Sequence, residues 1–165
     1  MDTAVSPNVS AALNLTADFF LAFGSDLFVF GTLCVLVLLY AMTYGRDRLV
    51  PLAAALYTGL VVMAYFPYES MFGGSAYMEA GAYMGIVCIG TAAYSGLSSW
   101  LPSSAGSFVK TALFSGVLAL FFVAIAIHLF PGLYSWSPAT LALFSEELLF
   151  WWLLAPLAGA LAFSR

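Results

Sequence analysis

An all-α, polytopic transmembrane helix bundle of about five helices, with a short amphipathic helix at the N-terminus, is the fold that this sequence predicts. Three observations lead there. Of the 165 residues, 64% are hydrophobic and 7% charged, against about 45–50% and about 25% in soluble domains. The mean hydropathy is +1.03, and a soluble fold of this size could not hide so much apolar surface. The apolar residues also fall in runs close to the roughly 20 residues that a helix needs to cross the hydrocarbon core.

Residues 1–25 form the first unit. Ser6-Pro7 is a helix-start signal, with Ser as N-cap and Pro at the first helical position. Val9, Ala12, Leu13, Ala17, Phe20 and Leu21 then follow near i, i+3, i+4 spacing, the pattern of an amphipathic helix lying on a membrane surface. The segment carries Asp2 and Asp18 and no basic residue, unlike a cleavable signal peptide, so the first long run is expected to stay as an anchor. Asn8 and Asn14 head Asn-X-Ser/Thr triplets, which accept glycans only in a eukaryotic secretory pathway.

Residues 26–165 form the bundle, with runs over 27–44, 49–66, 80–97, 108–130 and 141–163. The first ends at "GRDR". The second ends in "FPYESMFGGSAYMEAG", which breaks the pattern with Pro67, Gly73 and Gly74. "SSWLPSSAGS" separates the third from the fourth, and Pro131-Gly132 stops the fourth. These runs are too long and too uniformly apolar for the alternating strands of about 10 residues that build a membrane barrel. Helices satisfy their own backbone in lipid, which is the remaining solution.

Charge sets the expected orientation. With five crossings, Arg46, Arg48, Lys110 and Arg165 all fall on one side, and seven of the eight acids fall at or near the other, Asp47 being the exception. The positive-inside rule puts the C-terminus in the cytoplasm and the N-terminus outside.

Several function classes are excluded. Four basic residues cannot build a nucleic-acid footprint. Cys34 and Cys88 lie in apolar runs and match neither a zinc spacing nor a disulfide framework. No nucleophile–histidine–acid arrangement, phosphate loop or His-Glu-x-x-His motif is present, so no enzyme activity, metal or cofactor is expected. Thr and Tyr residues inside the runs suit helix–helix hydrogen bonds.

The candidate site lies in "LFSEELLFWW", residues 143–152, where Glu146 and Glu147 stand beside Trp151 and Trp152. A helix starting near Ala139 puts these acids about 12 Å along its axis, and one starting at Ser145 puts them in its first turn, where they complement the helix dipole. Either way they sit at the outer boundary. Neighbours on a helix are about 100° apart, so one carboxylate could face inward, and ionisable groups within membranes are functional candidates. His128, the one histidine, is expected at the same depth. With the two glutamates it would make a proton or cation site, although the commoner role for such a histidine is a structural hydrogen bond. Ala124 and His128 also match the Ala-x-x-x-His of bacterial antenna helices, but those polypeptides cross once.

Small residues recur at four-residue spacing at Ala55 and Gly59, Gly81 and Gly85, and Ala155 and Gly159. This is a helix-packing signal, within the chain or between copies. Pro156 falls inside the last run and should kink it.

The segment "LYAMTYGRDRLVPLAAALYTGLVVMAYFPY", residues 39–68, resembles small bacterial inner-membrane proteins of the colicin V production protein type. Gly45, Arg46 and Arg48 would correspond to that family's basic first turn. The resemblance is compositional and transfers no functional residue. It implies a bacterial cytoplasmic membrane and a transport or envelope role. The expected function is a small non-enzymatic subunit or scaffold that meets lipid and other membrane subunits or copies of itself. The alternative is a proton or cation channel or transporter subunit using Glu146, Glu147 and His128.

Overall fold

A computed structural model describes residues 7–66, 74–96 and 108–163, with residues 7–22 and 163 described by backbone alone. Every regular element among them is helical: α1 (Pro7–Tyr44), a 3₁₀ turn (Arg46–Arg48), α2 (Leu49–Ala64), α3 (Ala76–Gly96), α4 (Phe108–Leu129), α5 (Pro138–Leu143) and α6 (Glu146–Phe163). Three stretches are long and apolar enough to cross a membrane: Phe23–Tyr44, Arg46–Ala64 and Phe108–Leu129.

The expected short helix within 1–25 and the first run over 27–44 are parts of one element, the 38-residue α1. Pro7 stands at its start, where a proline is tolerated. Gly24 and Gly31 fall inside, and a lone glycine costs a helix only about 1 kcal/mol. Gly45 ends it with φ 102°, a backbone angle that a side chain resists and that lets the chain turn directly into Arg46–Arg48. The third run begins at Ala76 rather than residue 80, because the Ser75 carbonyl accepts from the Met78 and Glu79 amides and starts the helix a turn earlier.

The fifth run, expected over 141–163, is two helices. Ser137 Oγ accepts from the Thr140 amide at 3.3 Å and caps α5, with Pro138 in the first turn. The chain then breaks at Phe144–Ser145, and Glu146 and Glu147 occupy the first turn of α6. Acids there complement the positive helix end, so the second of the two expected starts is the one adopted.

α4 is the centre of the packing, with α1 and α6 seated on it, while α2 packs chiefly on α3. Leu118, Phe121 and Ser115 of α4 are fully buried. Tyr57 of α2 stacks on Phe121 at 4.8 Å, and Tyr83 of α3 meets Phe130 at 5.8 Å, which ties the α2–α3 pair to α4. Small residues make the close approaches. A Cβ on Gly59 would lie 2.9 Å from the Tyr83 ring, and one on Gly90 3.2 Å from Ala55 Cβ. One on Gly159 would lie 2.9 Å from the Phe114 ring. Gly81 and Gly85 are different: nothing lies within 4 Å of where their Cβ would be, so that pair makes no contact of this kind. Ala155 is half-buried on α6.

Pro156 is buried inside α6. It offers no N–H to the Trp152 carbonyl, and on this loosened turn the Tyr57 hydroxyl donates to the Leu153 carbonyl. The tyrosine donor thus ties α6 to α2 on the turn that carries the buried proline.

Arg46 and Arg48 follow the end of α1, and Lys110 lies in the first turn of α4. Val29 and Leu33 of α1 share a cavity wall with Ile125 and Ala126 of α4, so the two helices run antiparallel and bring these three cations to one end. Asp26, Glu79, Glu146 and Glu147 belong to the opposite end. Arg165 and Glu69 lie outside the described residues, as do the side chains of Asn8, Asn14 and Asp18.

Candidate functional site

The break between α5 and α6 leaves carbonyl oxygens without their helical donors. Two side chains supply replacements. Trp152 Nε1 donates to the Leu143 carbonyl at 3.0 Å, and His128 Nε2 lies 2.7 Å from the Phe144 carbonyl. A carbonyl oxygen can only accept, so the proton sits on Nε2 and the histidine is the donor. Phe144 itself is buried against Val123, Ala124 and Ile127, with its ring 4.8 Å from Trp152. His128 therefore holds the end of α4 to the break.

Glu146 and Glu147 are both exposed. Among the described residues no hydrogen bond or ion pair joins either carboxylate to His128, and no three His, Cys, Asp or Glu side chains gather as metal ligands. The structure brings His128 to the same loop as the glutamates but gives it a backbone partner. What the sequence places side by side is thus a helix-start pair next to a capping histidine.

A second polar node, not singled out from the sequence, lies close by. Asp26 of α1 is 4% exposed. Its Oδ2 accepts from the Ser137 amide at 3.0 Å and from Thr140 Oγ1 at 2.5 Å. Ser137 Oγ and Thr140 Oγ1 lie 3.1 Å apart, so the hydroxyls form a short relay ending on the carboxylate. Tyr134 completes the node from the connecting segment by donating to Ser25 Oγ at 3.0 Å. Asp26 Oδ1 and Trp136 Nε1 are buried without a partner among the described residues. Burying a carboxylate is expensive unless it is hydrogen-bonded, and this one is held by donors from an element more than a hundred residues away. Its chemistry is that of an anchor: it fixes α1 to the start of α5, while His128 fixes α4 to the end of α5.

The signals for this node were present but separate. Asp26 heads an uninterrupted apolar run, and Ser137-Pro138-x-Thr140 reads as a helix cap. Neither names the other. Comparison with protein-family models, with curated proteins and with solved structures gives no match for this chain.

Proposed function

We propose that this chain is a five-crossing integral membrane protein that serves as a non-enzymatic subunit or scaffold of a homo- or hetero-oligomeric complex. The observation that carries this reading is the open face of α1. Only 11% of the apolar window within Phe23–Tyr44 is buried, and Leu27, Phe28, Val35, Leu36, Leu39 and Met42 are each more than half exposed. Such a surface demands lipid or a partner helix. Asp26 and Arg46 are twenty positions apart, about 30 Å along a helix, which matches one hydrocarbon thickness between an acidic and a basic boundary. α3 and α6 complete the five crossings in this reading, with the N-terminus outside a bacterial-type inner membrane and the C-terminus in the cytoplasm. The part of α1 before Phe23 then lies at the outer surface.

The test is the mass of the protein extracted in a mild detergent, measured by light scattering with detergent subtracted. A species well above the 17.6 kDa of one chain, reduced by Leu36→Lys on the open face of α1, is the expected result. A monomer for the wild type overturns the homo-oligomeric form of this reading, and a monomer that also co-purifies with no other membrane protein from its native membrane overturns the subunit reading as a whole. The transport alternative requires Glu146 and Glu147 to matter for flux, whereas a scaffold predicts equal proton or cation leak from proteoliposomes for the wild type and the Glu146→Gln, Glu147→Gln double variant. A loss of flux in that variant would favour transport instead.

A further inference from the structure

Two cavities adjoin at the acidic end of the bundle, with Phe130 lining both. The larger, about 260 Å³, lies between α1, α3 and α4; Leu33, Tyr83, Met84, Ile125 and Trp136 are among its walls. The smaller, about 220 Å³, lies beside α2 and has one charged group in its lining, Glu79. Both spaces are open at the surface rather than sealed voids, and the almost wholly apolar wall of the larger one gives water nothing to bond. An apolar chain is therefore the occupant that the larger space suits. At the depth of membrane-spanning helices the abundant apolar chain is an acyl chain.

Charge decides the headgroup. The Glu79 carboxylate is half-exposed and has no hydrogen-bond or ion-pair partner among the described residues. The other formal charges at this end, Asp26, Glu146 and Glu147, are also negative, and Arg46, Arg48 and Lys110 lie at the far end. An anionic headgroup would meet only repulsion there. A primary ammonium both neutralises Glu79 and donates N–H to it, whereas a quaternary ammonium has no N–H to give.

We propose that the two cavities and Glu79 form a site for phosphatidylethanolamine, with an acyl chain in the larger cavity and the headgroup ammonium donating to the Glu79 carboxylate. This rests on the membrane reading above. The larger cavity is open at the surface, with walls from α1, α3 and α4, so a lipid enters from the bilayer without the bundle coming apart.

The experiment uses the full chain, delipidated in detergent, and native mass spectrometry to compare phosphatidylethanolamine with phosphatidylglycerol of identical chains. The wild type should bind the ethanolamine lipid about fivefold more tightly, the scale of one partly exposed ion pair. Glu79→Gln should bring the two lipids level. Ala126→Phe, which fills the larger cavity, should weaken both, and Met84→Trp does the same from an exposed position should the first variant fail to fold. Equal affinity of the wild type for the two lipids overturns the site. So does unchanged binding in a folded cavity-filling variant, which would mean that the lipid coats the outer faces only. Alkaline carbonate washing of membranes separates the two levels of the argument. A chain washed off sinks the membrane reading, and a chain that stays but shows no headgroup preference sinks this site alone.

Discussion

Asp26 accepts a 2.5 Å hydrogen bond from Thr140 across 114 residues of chain, and the same oxygen accepts from the Ser137 amide. One carboxylate thus caps α5 from outside and seats it on α1. Replacing Asp26 by Ala strands a buried amide and a buried hydroxyl, each worth about 1–3 kcal/mol if left unpaired. Asp26→Ala is expected to destabilise the protein by about 2–3 kcal/mol, read from unfolding in mixed detergent micelles. Asp26→Asn keeps an acceptor oxygen and should recover at least half of that loss.

His128 offers a second separation of roles. If it acts by donating to the Phe144 carbonyl, as the 2.7 Å contact states, then His128→Gln can keep a donor while His128→Ala cannot. The alanine variant should lose about 1–2 kcal/mol and the glutamine variant less. The Glu146→Gln, Glu147→Gln double variant should remain near wild type, because both carboxylates are exposed. A double variant as unstable as His128→Ala would mean that the acids and the imidazole work as one unit.

The two nodes show how far the sequence reaches. Helix limits were legible where composition changes sharply: Tyr44-Gly45, Phe108 and Leu129-Phe130 fall within a residue or two of the expected boundaries. Ser137-Pro138 was legible as a helix start, because capping is local chemistry. The break at Phe144 was harder. Nothing in "LALFSEELL" stops a helix outright, and Ser145-Glu146 wins because it begins a new one while His128 and Trp152 satisfy the carbonyls left behind. A backbone carbonyl has no sequence signature, so His128 pointed toward the nearest acids instead. Asp26 was legible as a boundary charge, but its partners depend on how α1 and α5 meet in space.

Small-residue spacing shows the same limit from the other side. Gly59 and Gly81 look alike in sequence, yet only Gly59 is pressed by a neighbour, the Tyr83 ring at 2.9 Å from a notional Cβ. Gly59→Ala should force the ring aside and cost about 1–3 kcal/mol. Gly81→Ala and Gly85→Ala meet open space and should be neutral or stabilising by up to about 1 kcal/mol, the helix-propensity gain. Unfolding of the three variants in one detergent decides between a steric and a compositional role.

Tyr57 and Pro156 complete the set. The tyrosine hydroxyl donates to the Leu153 carbonyl on the turn where Pro156 removes a helical donor. Tyr57→Phe keeps the stacking on Phe121 and deletes only that bond, so its expected cost is about 1 kcal/mol. Pro156→Ala restores the missing amide to the Trp152 carbonyl and lets that turn tighten, which moves the Leu153 carbonyl away from the hydroxyl. In that background Tyr57→Phe should cost little. The double-variant cycle therefore has a definite sign: the two losses together should be smaller than their sum, by about 0.5–1 kcal/mol. Additive losses would mean that the tyrosine reaches its carbonyl whatever the shape of α6, and that the proline serves packing alone.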